Sequence, residues 1–167
     1  MKKLLSLFAV FTMTVSCMTA QDLNLTTEAL EYKLTATDNK GTNLREIIKK
    51  HNGKTIVIEF WASWCSDCVK NMPNVKKLQA NNPEVDFVFV SFDKTKEAWA
   101  EGIKKHELNG EQFFVGETMK GDFGRSIDLD WIPRYIIIDK YGKVALYKAT
   151  EKENERVEEL LKRVVRI

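Results

Sequence analysis

Two cysteines, Cys65 and Cys68, stand where an apolar stretch gives way to a helical pattern, in Glu59-Phe60-Trp61-Ala62-Ser63-Trp64-Cys65-Ser66-Asp67-Cys68. The spacing brings both sulfurs within bonding range on one helical turn, and the position sets their reactivity. At a helix N-terminus the unpaired N–H groups and the positive end of the dipole favour a thiolate, which makes Cys65 the expected nucleophile. Cys68, one turn further in, is placed to attack a mixed disulfide at Cys65 and release reduced substrate. Asp67 adds a negative charge that disfavours a thiolate, yet an acid in the first turn also suits the dipole, so the two effects oppose. Glu59 is an acid in an otherwise apolar run. Buried, its carboxyl is pushed up and becomes a candidate proton acceptor for Cys68; at a strand edge it reaches solvent or pairs with a lysine instead. Cys-x-x-Cys is also half of a zinc motif. Tetrahedral zinc needs two further ligands, however, and the two histidines, His51 and His106, are unclustered and read as solvated surface. No metal site is expected, and dithiol exchange calls for no cofactor.

The segments that must hold this pair alternate between strand and helix patterns, with no repeat and no Pro/Gly-rich linker. Residues 56–61 form a near-continuous β-branched and aromatic run, the mark of a central strand covered on both faces. Residues 65–81 follow as a helix with Val69, Met72, Val75 and Leu78 along one side and Pro73 as a kink. A second buried strand over 87–92 and a second helix over 95–106, burying Ala98, Trp99 and Ile103, imply parallel pairing with right-handed crossovers. Upstream, residues 32–37 read as a short strand or hairpin arm turning at 38–41, and 44–50 as a short helix stopped by Gly53. Downstream, 112–115 reads as a short strand and 118–126 as a broken helix. Residues 135–138 form a third buried strand in a hairpin with 144–147. Thr150 and Glu153 then make a capping box for a final helix with apolar positions Val157, Leu160, Leu161, Val164 and Val165.

The N-terminus has a different character. Lys2 and Lys3, an apolar core from Leu4 and small residues ending at Ala20 read as a signal peptide over 1–20, then a short linker over 21–31 and one domain over 32–167. Its removal leaves 147 residues and, since it carries two lysines and no acid, no net charge. A neutral chain has no general electrostatic pull toward nucleic acid or anionic membrane. No later apolar run approaches the roughly 20 residues of a membrane span, so attachment is expected only if Cys17 is lipidated. Ser16 before it suits lipoprotein processing, whereas Thr14 stands where Leu is usual; otherwise Cys17 is discarded with the signal. Export would put Cys65 and Cys68 in a disulfide-permissive compartment.

Phe60-Trp61-Ala62-Ser63-Trp64-Cys65-x-x-Cys68, Pro73, and Trp131-Ile132-Pro133 leading into Tyr135-Ile136-Ile137-Ile138-Asp139 with Gly142 in the turn resemble one family. It is the thioredoxin-fold proteins, specifically the TlpA-like (ResA-like) exported thiol-disulfide oxidoreductases of bacterial envelopes. The resemblance runs over roughly 32–167, nearly all of the chain expected after signal removal. It implies an α/β, thioredoxin-like fold: a central mixed sheet with helices on both faces, an N-terminal hairpin extension and a central insertion around 94–118. It also implies a cis bond at Ile132-Pro133 that offers the Ile132 backbone to an extended substrate. Without the dithiol an ordinary trans proline would be the default, since cis is about 5–6% of X-Pro bonds. Glu59 takes the position of the buried acid of thioredoxins. The Glu that TlpA-like proteins often carry after the second cysteine is here Asn71, so their pH behaviour is not carried over. Trp61 is expected in the core and Trp64 as an apolar substrate surface. The implied function is protein-disulfide reduction or isomerisation in the cell envelope or periplasm. Cysteine-containing envelope proteins, apocytochromes among the possibilities, would be substrates, and an unidentified membrane electron donor would recharge the pair. The direction of electron flow is not encoded in the motif. Two alternatives stay open: a redox-silent binding or scaffold module, and a thiol peroxidase, to which Ala62-Ser63-Trp64 is a poor match.

Overall fold

The computed structural model describes residues 25–166, so the expected signal peptide and Cys17 lie outside the described residues. Strand β3 (Ile56–Trp61) is buried at all six positions, Glu59 included, as its near-continuous apolar run suggests of a strand covered on both faces. It pairs in parallel with β4 (Asp86–Ser91) and antiparallel with β6 (Arg134–Ile138). β4 pairs in parallel with β5 (Glu111–Phe114), and β6 forms an antiparallel hairpin with β7 (Val144–Thr150). The N-terminal hairpin, β1 (Leu34–Ala36) and β2 (Gly41–Thr42), adds antiparallel to the outer edge of β5. The sheet order is therefore β2-β1-β5-β4-β3-β6-β7, mixed as expected.

β3, β4 and β5 advance across the sheet in one direction, so right-handed crossovers place α3 (Ser66–Asn81) and α4 (Lys96–His106) on the same face. Gly102 is where α4 meets β3: a Cβ there would lie 2.7 Å from the Ser63 Cβ and 3.1 Å from the Trp61 ring, so a larger residue would force the helix away. On the other face Phe123 of α5 (Asp122–Ser126) packs at 6.0 Å from Phe60 and 5.9 Å from Phe92. The Thr150/Glu153 capping box opens a 3-10 turn and then α6 (Asn154–Val164), which is held to α3 by Asn81 donating to Glu158 at 3.0 Å. α4 and β5 occupy the interval expected for the insertion, and β5 supplies the edge on which the β1–β2 hairpin docks.

Several local expectations change. The stretch read as a linker contains α1 (Thr27–Glu31), capped by Thr26, with Ala29 fully buried; the packed chain thus reaches back to Leu25. The broken helix over 118–126 shrinks to α5, because Gly121 caps it and the Glu117 carboxylate accepts the Phe123 N–H at 2.6 Å, leaving 116–120 as a loop. In α4 the buried contacts are Trp99 and Gly102, while Ala98 and Ile103 are half-buried. In α6 only Val157 and Leu161 are fully covered. His51, expected in solvent, is buried after α2 (Leu44–Lys50): its Nδ1 lies 2.7 Å from Asp86 and its Nε2 3.3 Å from Glu111. Both partners open strands on the far side of the turn, so only the sheet brings the three together. Among the described residues no helix is long and apolar enough to cross a membrane.

Candidate active site at the N-terminus of α3

β3 ends at Trp61, and Ala62-Ser63-Trp64 carries the chain to Cys65, the N-cap of α3. The structure holds Cys65 and Cys68 as a disulfide, with Cα atoms 5.3 Å apart. The Cys68 N–H donates to Cys65 Sγ at 3.1 Å, so one of the otherwise orphaned donors of the first turn points at this sulfur. The two cysteines differ in access: Cys65 is 6% exposed and Cys68 not at all. Cys65 Sγ lies 3.5 Å from the Ile132 carbonyl oxygen, and the Ile132-Pro133 peptide is cis. Trp64 and Trp131, each about half exposed, flank the pair. With Met119 and Ile132 they wall a groove of about 200 Å³ over Cys65.

Under the helix lies a polar layer. Glu59 sits opposite Tyr135 in the β3–β6 register, which points both side chains to one face of the sheet. That face is the one α3 covers, because the Asn71 side chain of α3 donates to the Tyr135 hydroxyl. Glu59 is fully buried and among the described residues neither carboxylate oxygen has a hydrogen-bond partner, so desolvation lifts its carboxyl to about 8. Tyr135 is pushed well above the usual tyrosine range by burial and then by the neighbouring Glu59. The Asn71 oxygen in turn accepts from Asn74 at 3.0 Å and from Asn154 of α6 at 2.9 Å. Asn71 is thus an amide that ties α3 to β6 and α6.

On the other side of Trp64 a cluster escaped the sequence reading. Asp93, just past β4, is buried and accepts from the Ser63 N–H at 3.1 Å, the Ser63 hydroxyl at 2.6 Å and the Ser91 hydroxyl at 2.7 Å. The Trp64 indole N–H donates to the Phe92 carbonyl at 3.3 Å. The loop bearing the dithiol is therefore tied to the end of β4. The signal for this was an acid closing a buried strand, which has no meaning until its partner is known. Trp61 is core, as expected, and Trp64 is surface. His51 lies at the N-terminal ends of the parallel strands, away from the dithiol at their C-terminal ends.

A family model described as thioredoxin-like matches residues 52–144. The chain is 29% identical over 130 residues to the thiol-disulfide oxidoreductase ResA of Bacillus thuringiensis subsp. konkukian, covering 77% of this chain and 72% of that one. Among solved structures, the thioredoxin domain of a thiol-disulfide oxidoreductase from Bacteroides vulgatus superposes with a TM-score of 0.64 at 21% identity, covering 79% of this chain and 91% of that one. A secreted Mycobacterium tuberculosis disulfide oxidoreductase homologous to Escherichia coli DsbE does so with a TM-score of 0.60 at 17% identity, covering 83% and 99%. These two likenesses establish the shared fold.

Proposed function

The chain belongs to the thioredoxin-like family and exchanges thiols with disulfides through Cys65 and Cys68, and from that premise we propose that it reduces or isomerises disulfides in cysteine-containing proteins of the cell envelope. In the reduced protein the Cys65 thiolate attacks a substrate disulfide, forming a mixed disulfide as the other substrate sulfur leaves as thiolate. Cys68 passes its proton to Glu59 and attacks Cys65, and the second substrate sulfur leaves. The substrate gains two electrons and the protein becomes the disulfide. The observation that carries these roles is the difference in access between the sulfurs: Cys65 meets solvent beside the Ile132 carbonyl and Cys68 is sealed beneath it. Trp64, Ile132 and Pro133 form the surface against which a substrate strand lies, the Ile132 backbone offering it a hydrogen-bonding edge.

Export rests on the Lys2-Lys3 and apolar pattern of residues 1–20, with Cys17 as the lipidation candidate should the protein be held at a membrane. A reductase in an oxidising compartment has to be recharged, which calls for a membrane-borne dithiol donor. Cys68→Ala is expected to accumulate mixed disulfides with client proteins, seen as thiol-sensitive bands on non-reducing gels, and Cys65→Ala to accumulate none. Equal trapping by both variants would sink the assignment of roles.

A further inference from the structure

Beyond Trp64 the groove over Cys65 does not end. Trp64 and Met119 also wall a second, larger depression of about 870 Å³, floored by Phe92 and closed by Ala98 of α4 and the 116–120 loop. Its lining is mostly apolar, and its charges are unevenly available. The Asp93 carboxylate is buried and turned to the Ser63 and Ser91 hydroxyls, and the half-buried Glu117 carboxylate accepts the Phe123 N–H. Lys94 and Lys120 on the rim are exposed, and among the described residues no carboxylate pairs with either. The depression is thus an apolar trough whose two exposed charged side chains are the rim lysines, continuous with the site through one half-exposed indole.

We propose that this trough is a specificity pocket of the dithiol site, filled by an apolar, preferably aromatic, side chain of the substrate polypeptide a short distance from its cysteine, with an adjoining acid facing Lys94 and Lys120. The occupant follows from continuity. A strand that lies along Ile132 and presents its sulfur to Cys65 must leave either back over Trp131 or onward over Trp64, and the onward path drops into the trough. Apolar walls reward burial of an apolar group, and the unpaired lysines reward a carboxylate next to it. The inference rests on the exchange function proposed above and adds which cysteines are preferred.

The test uses the full-length protein, reduced and then freed of dithiothreitol, mixed with peptides whose single cysteine is capped by glutathione. Each turnover oxidises the Cys65/Cys68 dithiol to the disulfide and reduces the mixed disulfide to peptide thiol and glutathione, so electrons balance without another reactant. Phe is walked through successive positions on each side of the cysteine in an alanine background. At a position on one side only, Phe is expected to raise the second-order rate constant about tenfold over Ala, and a neighbouring Asp to raise it further at low salt. Ala98→Phe, which fills the trough from the α4 side, should bring the Phe/Ala ratio close to one. Lys94→Glu with Lys120→Glu, both at exposed positions, should reverse the preference for Asp. Equal rates for all peptides, or a Phe preference unchanged in Ala98→Phe with an Asp preference unchanged in the lysine variant, overturn the pocket while leaving the exchange function standing. Failure to react with any peptide and with oxidised glutathione overturns the exchange function itself.

Discussion

Glu59 is fully buried and has no hydrogen-bonding partner among the described residues, a combination that costs free energy and marks a candidate functional acid. With its carboxyl raised to about 8 against 4.5 when exposed, the folded protein holds a proton that the unfolded chain has released between those values. Stability from this group therefore falls as pH rises from about 4.5 to 8 and levels off beyond. Glu59→Gln removes that loss, so denaturant unfolding should find the variant roughly 3–5 kcal/mol more stable relative to wild type at pH 8.5 than at pH 4. Identical differences at both pH values would show that Glu59 ionises normally. Exchange should change the other way: release of trapped mixed disulfide, followed by stopped-flow fluorescence, should rise with pH through about 8 in the wild type. In Glu59→Gln it should be slower by roughly a hundredfold and lack that rise. Cys65, Cys68 and the acid at 59 were all legible as residues in sequence. Asn71 was legible only as a departure, since its amide acquires meaning from Tyr135 and Asn154, 64 and 83 residues away.

At the scale of elements, the dithiol is positioned by a junction that must be pinned on both sides. Asp93 pins the β3–α3 loop to β4, and Asp93→Ala leaves the Ser63 N–H and two serine hydroxyls without an acceptor, at a cost of about 3 kcal/mol. Thermal unfolding should record that cost, and a shift in tryptophan emission should report that Trp64 has moved; an unaltered melting temperature would mean the loop holds itself. At the opposite end of the parallel strands His51 joins the end of α2 to the first residues of β4 and β5. His51→Ala should lower stability by about 2 kcal/mol in denaturant titration while leaving the exchange rate with oxidised glutathione unchanged. The strands β3, β4 and β6 and the helices α2, α3, α4 and α6 could be read from periodicity because each buries a continuous face. Residues 118–120, expected as the start of a broken helix over 118–126, are loop because Gly121 and the Glu117 cap compete with that pattern locally. His51 was misread because burial of a polar side chain depends on partners that no local window contains.

For the whole molecule, the remaining question is the direction in which electrons flow. A reductase requires a Cys65/Cys68 potential near thioredoxin's, about −270 mV, and an isomerase one near about −180 mV, both below the roughly −120 mV of a strong oxidant. Equilibration in defined dithiothreitol or glutathione buffers, read by tryptophan fluorescence, is expected to give such a value. A strongly oxidising potential would replace the reductase reading with that of an oxidant, and a pair that no buffer cycles would leave a redox-silent scaffold. The amino-acid sequence by itself determined the dithiol, its place at a strand-to-helix junction and the α/β alternation, because these depend on spacing along the chain and on local hydrogen bonding. Only the tertiary structure decided which sulfur meets solvent, that Glu59 has no partner, that Asp93 anchors the active loop, and that the groove over Cys65 opens past Trp64 into a trough. Each of those depends on contacts between segments far apart in the chain, and burial and electrostatics are properties of the assembled neighbourhood, which no single stretch of residues carries.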